Sequence, residues 1–269
     1  MKAISETLSL GVDSLVFLDD NPAERAQVRD AIPAIAVPEL PPDPSLYMQS
    51  LLAGGYFEAI AFSDDDRKRA AFYQDNARRV DLKGQAGDLS AYLASLDMTI
   101  TFQRFEAIGR SRIAQLISKS NQFNLTTRRY SEVDVAELEA SPSHFTLQVR
   151  LADIFGDNGM ISVIICRKGD TEWEFDTWLM SCRVLGRDVE EAVLQEVCSE
   201  ARQAGALSLK GRYIPTDRNG MVAEHYAKLG FELVERLADG ETVWRYRIAE
   251  AERPGVPTPD LPMKVRRLP

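Results

Sequence analysis

The sequence predicts an α/β protein built on a mixed sheet with flanking helices, and three observations carry that prediction. Short apolar runs of strand type alternate with segments of helical period along most of the chain. The composition, 45% hydrophobic and 27% charged, is that of an ordinary globular protein. Proline clusters near residues 38–44 and glycines at 84 and 87 divide the 269 residues into separate segments, so the length accommodates two domains.

The elements follow in order. Residues 1–43 read as a partial α/β unit. Ile4 to Leu10 has helical spacing and Leu15 to Leu18 is a short strand. Asn21-Pro22 then opens a helix that runs to Arg29, and Ile35 to Val37 is a second strand. Residues 44–86 read as a helical connector, with a long polar helix from Asp64 to about Val80. Residues 87–250 form the main domain. Its strands are expected at Thr99 to Arg104, Phe145 to Asp153, Gly159 to Arg167, Glu172 to Val184, Leu207 to Ile214 and Thr242 to Arg247. Its helices are expected at Asp88 to Leu96, Ser111 to Ser120, Val189 to Ala204 and Met221 to Leu229. Residues 251–269, with five prolines and a KVRR stretch, read as a flexible tail.

Charge and cysteine content exclude several function classes. Lys and Arg number 32 against 41 Asp and Glu, a net charge of −9 with no basic block, which argues against binding a phosphate backbone. No apolar stretch reaches the 18 or so residues that span a bilayer. The first twenty residues lack the apolar core of a signal peptide, so a cytoplasmic location is expected. Cys166, Cys182 and Cys198 match neither a disulfide set nor a zinc-ligand spacing. Cys166 and Cys198 read as small buried hydrophobes, and His225 as a surface residue.

The string VFLDDNPAER, Val16 to Arg25, places Asp19 and Asp20 at the end of a strand, where open α/β sheets bind ligands. Paired acids there suit Mg²⁺, while on these residues alone Asp20 and Asn21 read more readily as a cap for the next helix. The full string resembles the fourth, metal-binding motif of the haloacid dehalogenase (HAD) superfamily, in the form carried by FkbH-like proteins of polyketide biosynthesis (subfamily IIIC). That resemblance implies Asp19 and Asp20 as Mg²⁺-associated acids once the HAD domain is completed. The aspartate nucleophile, Ser/Thr and Lys that precede this motif in the family have no counterpart here. The expectation is therefore a partial HAD-like (Rossmannoid) segment, the remnant or edge of something longer. No phosphatase chemistry is expected from this chain alone.

The string DTWLMSCRVLGRDVEEAVLQEV, Asp176 to Val197, is a strand, a glycine loop and a helix with acids in its first turn. It resembles the acyl-CoA-binding motif of the GNAT N-acyltransferases, which implies an anion site on Arg183, Gly186 and Arg187 at a helix N-terminus. Asp188 stands where that family has a small residue, and its charge favours a ligand with fewer phosphates than coenzyme A (CoA). The single phosphodiester of a carrier protein's phosphopantetheine arm meets that condition. Cys182, beside Arg183 and near the helix start, reads either as a buried hydrophobe or as a thiol whose ionised form is stabilised.

Three more strings match FkbH-like proteins in order. SNQFNLTTRRY supplies Asn121, Gln122, Asn124, Thr126 and Thr127 for a small polyol acyl group, or else caps a helix. DIFGDNGMI supplies Asp157 as base or orienter and Asn158 beside it, or else an ordinary hairpin turn. IPTDRNGMVAEHYAKLGFEL resembles the last GNAT helix and strand, which implies Asn219, also a helix cap, and Tyr226, lining the arm channel, as cofactor-binding residues. The resemblance implies a GNAT-like domain that moves an acyl unit, glyceryl in the family, from a cysteine thioester to an acyl carrier protein. It also implies a possible second partner, a polypeptide that supplies the missing HAD motifs. An acyl-CoA-dependent N-acyltransferase and a non-catalytic carrier-protein docking module are the rival readings.

Overall fold

The computed structural model describes residues 3–5, 11–58, 69–248 and 260–268. Residues 6–10 of the first expected helix and 64–68 of the long polar helix lie outside the described residues. The chain divides into two compact units, Met1–Gln74 and Asp75–Pro269.

In the first unit, Val16 bridges Ala36 in parallel, and the Phe17 N–H donates to the Ala36 carbonyl at 2.8 Å. Between them α1 (Pro22–Ala31) starts where Asn21 accepts from the Ala23 N–H, with Pro22 in the first turn. The helix expected after Asn21 is thus present, while the two expected strands, at Leu15 to Leu18 and Ile35 to Val37, meet in a single isolated bridge. A short helix, α2 (Tyr47–Ala53), follows Asp43 and a turn of 3₁₀ helix. Helix α3 (Arg69–Gln85) leads into the second unit.

The second unit is a mixed α/β fold on one eight-stranded sheet. After α4 (Leu89–Ser95) come β1 (Met98–Gln103), α5 (Arg110–Lys119) and α6 (Glu132–Ala140). Strands β2 (His144–Asp153), β3 (Gly156–Lys168) and β4 (Glu172–Met180) precede α7 (Val189–Gln203). Then β5 (Ser208–Tyr213), the single-turn α8 (His225–Lys228), β6 (Glu232–Arg236), β7 (Thr242–Arg247) and β8 (Met263–Arg267) complete the chain. The spatial order is β6-β7-β5-β4-β3-β2-β1-β8, with β4–β5 and β1–β8 parallel and the other pairs antiparallel. Mixed polarity with helices on both faces is the expected fold class.

One face packs α4 and α7 through Leu93, Val193 and Val197 against Phe102, Leu147, Ile164 and Trp178. The other packs Ile113 and Ile117 of α5 and Val135 of α6 against Val163, Ile165 and Leu179. Burial of these side chains stabilises each by roughly 1.5–3 kcal/mol.

Four expectations are corrected. Part of the supposed flexible tail is β8, which pairs along β1 and whose Arg267 forks onto the buried Glu196 at 2.8–3.0 Å. The fourth main-domain strand ends at Met180, because Ser181 turns to bond Ile161 and residues Cys182–Val184 form a 3₁₀ turn, so Cys182 is not in a strand. The helix expected from Met221 is a 3₁₀ turn at Gly220–Val222 followed by α8. Helix α6 was not expected, although Ser131 and Asp134 form the capping box that starts it.

Candidate functional site

The glycine loop between β4 and α7 is the centre of the site. Gly186 at φ 70° and Asp188 at φ 57° are both left-handed, which turns the chain sharply into the helix. Asp188 makes no cap hydrogen bond at the N-terminus of α7, while the Glu190 and Glu191 carboxylates in the first turn accept from their own backbone N–H groups. Burial raises Glu190 in the first turn to about 7, with Glu191 and Asp188 adding to the rise, and raises Glu191 as well. Cys182 is half-buried in the 3₁₀ turn that enters this loop, and Arg183 Nε donates to Ser181 Oγ at 3.0 Å.

Arg187 does not face this opening. Its guanidinium is buried, donating to Asp153 at 3.1 Å and to the Arg183 carbonyl at 3.1 Å. Asp153 has no exposed side-chain surface and also receives two bonds from Arg79, both 2.8 Å, with further donors on Asn158 and Phe155. Burial alone would raise the Asp153 carboxyl, but Arg79 and the other donors hold it below its usual range. Arg187 therefore ties the loop to the β2–β3 hairpin and is not placed to meet a phosphate.

The hairpin turn is Ile154-Phe155, shorter than the 154–158 expected, so Asp157 and Asn158 already lie in β3. Asp157 is half-exposed, paired with Arg150 at 2.9 Å, and accepts from the Gly159 N–H at 2.7 Å. Asn158 is buried on Asp153.

The polar segment after α5 turns its amides and hydroxyls inward. Asn124 is fully buried, donating to Ser120 O at 3.2 Å and accepting from the Thr127 N–H at 2.8 Å. Thr126 donates to the Asp176 carbonyl at 2.8 Å, and Asn121 accepts from Arg129. Gln122 is exposed and Thr127 half-buried. Asn219, also fully buried, donates to Asn124 O at 3.0 Å and to Ile214 O at 2.9 Å and accepts from the Thr216 N–H at 2.7 Å. It brackets this segment instead of capping a helix with its side chain.

Tyr226 is only 1% exposed, with its ring over Gly211, where a Cβ would sit 2.5 Å from the ring carbons. His225, expected at the surface, is 7% exposed and edge-on to Trp178 at 4.6 Å. Burial, with Lys228 nearby, pushes its pKa down to about 3, so the ring is neutral at physiological pH.

Sequence reasoning also missed Asp176. A register shift between Ile165 and Cys166 leaves it out of the β3–β4 pairing, and the buried carboxylate accepts from Tyr130 Oη at 2.6 Å and pairs with Arg128. Burial and then Asp176 itself raise the Tyr130 phenol. An acid inside the apolar string WEFDTW was the available signal. Cys166 and Cys198 are buried as expected, and burial pushes the Cys166 thiol up.

In the first unit, Asp19 Oδ1 accepts from the Asn21 N–H at 2.8 Å, and the carbonyls of Asp19 and Asp20 accept from the buried Arg25. Among the described residues no three His, Cys, Asp or Glu gather as metal ligands, and no helix is long and apolar enough to cross a membrane.

No family model matches the chain, and no curated protein matches it. Solved structures similar to it include the ribosomal-protein-S18-alanine N-acetyltransferase from Escherichia coli, at 14% identity and TM-score 0.42, over 55% of this chain and 94% of that one. Others are the GNAT domain of S. lividans PAT, at 15% identity, TM-score 0.44 and coverage of 54% and 89%, and yncA from Salmonella typhimurium with acetyl-CoA, at 15%, 0.41 and coverage of 58% and 97%.

Proposed function

We propose that the chain is an acyltransferase that passes a small acyl group, glyceryl by preference, to the phosphopantetheine thiol of an acyl carrier protein in polyketide-type biosynthesis. The observation that carries the reading is the placement of Cys182. It is the one cysteine outside the core, and it opens a turn that leads through two left-handed residues into the start of α7. An incoming phosphodiester gains from the backbone N–H groups and dipole of a helix start.

Cys182 Sγ takes the acyl group from an activated donor such as an acyl phosphate, and phosphate leaves. The thiol of the arm then attacks the thioester carbonyl; the bond to Cys182 breaks, the new thioester forms on the arm, and the proton of the attacking thiol ends on Cys182. Gly186 lets the arm's phosphate approach the backbone, and Arg183 is the neighbouring cation; Arg187 holds the loop in shape from inside. In the first unit, Asp19 and Asp20 would serve Mg²⁺ only beside acids supplied by the rest of a HAD domain, from a longer chain or a partner polypeptide.

The test is intact-mass spectrometry of the chain mixed with a glyceryl donor and a phosphopantetheinylated carrier protein. Wild type should show a stable mass increase of one acyl group before the carrier does, and Cys182→Ala should show neither. Undiminished transfer by Cys182→Ala from an acyl-CoA to an amine would overturn the reading in favour of direct attack on acyl-CoA. Carrier binding without any acyl transfer would favour a docking module.

A further inference from the structure

The two edges of the eight-stranded sheet are unlike each other. On one edge, β6 carries a register shift between Leu233 and Glu235 where it pairs with β7, and a bulge of that kind protects an open edge from chance pairing. On the other edge, β8 runs along β1 without a shift, from Met98 with Met263 to Phe102 with Arg267. The strand is held firmly from behind. Arg267 forks onto Glu196 of α7 at 2.8–3.0 Å, and Lys264 Nζ meets Asp97 Oδ1 at 2.7 Å.

One contact shows which backbone groups of β8 are already used. The Leu268 N–H donates to Phe102 O at 2.9 Å, and successive residues of a strand turn their N–H and C=O groups to opposite sides. The groups of Lys264 and Arg266 therefore face β1, and those of Met263, Val265 and Arg267 face away, where no backbone partner meets them among the described residues. Side chains alternate as well: Arg267 reaches α7, so Val265 shares its face, while Lys264 and Arg266 share the other. All four residues are exposed, Val265 at 39%, and Arg266 makes no ion pair among the described residues. The Glu196 side chain behind Arg267 is only 5% exposed and Asp97 offsets Lys264 alone, so the outer surface of this short strand is basic in a chain of net charge −9.

We propose that β8 is a docking edge for an extended acidic segment of another polypeptide, which joins the sheet as a further strand. The main chain of that segment takes the outward N–H and C=O groups of Val265 and Arg267. Acidic side chains on one of its faces lie beside Lys264 and Arg266, and an apolar side chain on the other lies beside Val265. The pattern recognised is thus acid and apolar residue in alternation. A second copy of β8 is a poor occupant, because antiparallel pairing about Val265 sets Lys264 against Arg266, and like charges opposite each other destabilise a sheet. The inference stands apart from the acyltransfer reading and takes nothing from it.

The probe is a short fluorescein-labelled peptide in which glutamate and valine alternate, its binding to the full chain read by anisotropy. It should bind at low salt, and lysine in place of glutamate should weaken it by about 10-fold or more. Arg266→Glu reverses a charge beside the peptide and leaves the backbone alone, so it should weaken binding by about 10-fold. Val265→Pro removes one outward N–H at a position where an edge strand tolerates proline, and should weaken binding as much with an unchanged unfolding midpoint. Hydrogen exchange should show the amides of Val265 and Arg267 slowing by about 10-fold or more at saturating peptide, with those of Lys264 and Arg266 nearly unchanged. Binding that leaves the Val265 and Arg267 amides unprotected is charge attraction alone and overturns the proposal. Equal binding of the lysine peptide, full binding by Val265→Pro, or no binding at millimolar peptide overturns it too. Slowing of the same two amides with rising chain concentration and no peptide would assign the edge to a second copy, which also overturns it. If Val265→Pro fails to fold, Arg266→Glu and the exchange pattern decide.

Discussion

Replacing Asp153 by Ala should destabilise the second unit far more than replacing either of its partners. The carboxylate receives five hydrogen bonds, from Arg79 Nε and Nη2 at 2.8 Å, Phe155 N at 2.9 Å, Arg187 Nη1 at 3.1 Å and Asn158 Nδ2 at 3.2 Å. Arg79 and Arg187 are both buried, so Asp153→Ala leaves two guanidiniums inside with no counter-charge. Breaking a buried pair in this way costs about 3–5 kcal/mol. Arg187→Met leaves Asp153 with the two-pronged Arg79 contact, fills similar volume, and should cost only about 1–2 kcal/mol. Urea unfolding followed by tryptophan fluorescence is the assay, because all three tryptophans, Trp173, Trp178 and Trp244, lie in the second unit. A loss of 3–5 kcal/mol should lower the melting temperature by roughly 6–20 °C.

The pH dependence has a definite sign. A carboxyl held below its usual range adds stability above its unfolded pKa near 4, and loses it as pH falls through the folded value. The gap between wild type and Asp153→Ala should therefore be full at neutral pH and shrink in acid. Equal losses for Asp153→Ala and Arg187→Met, or a loss below about 1 kcal/mol for the former, would refute the assignment of this cluster as the tie between loop and hairpin.

Three further outcomes follow from named contacts. Gly211→Ala places a methyl 2.5 Å from the Tyr226 ring, and displacing that ring should cost about 1–3 kcal/mol, measured by the same unfolding curves. Glu190 is raised by burial to about 7, so its penalty on the fold grows as pH rises from about 4.5 towards 7. Glu190→Gln should then stabilise by up to about 3 kcal/mol at pH 8 and do nothing at pH 4, and a pH-independent effect would contradict that origin. A Cβ on Gly186 would meet no atom within 4 Å, so the positive φ is the main cost of Gly186→Val; the variant should fold with a loss of about 1–2 kcal/mol yet fail to bind pantetheine by calorimetry. Wild-type binding by that variant would move the phosphate site elsewhere.

Local rules made much of this protein readable in advance. Alternation of apolar residues marked β2, β3, β5 and β7, helical spacing marked α5 and α7, and Asn21-Pro22 marked the start of α1, because each signal is written within a few consecutive residues. The loop at Gly186 was legible for the same reason: a strand, a glycine and an acid-led helix are neighbours in the chain.

Partnership across the sheet was not written locally, and it decided the rest. A polar residue advertises hydrogen bonds without saying to whom, so Arg187 and Asn158 read as ligand-binding groups until the fold set them against Asp153, 34 and 5 residues away. Asn219 read as a cap until its amide met the Asn124 carbonyl, 95 residues away. Strand β8 escaped notice because its five residues gain order only from the register of β1, at the other end of the unit. His225 escaped because its turn is packed against Trp178 of a distant strand, and burial of that kind is a property of the packed sheet and not of any stretch of sequence.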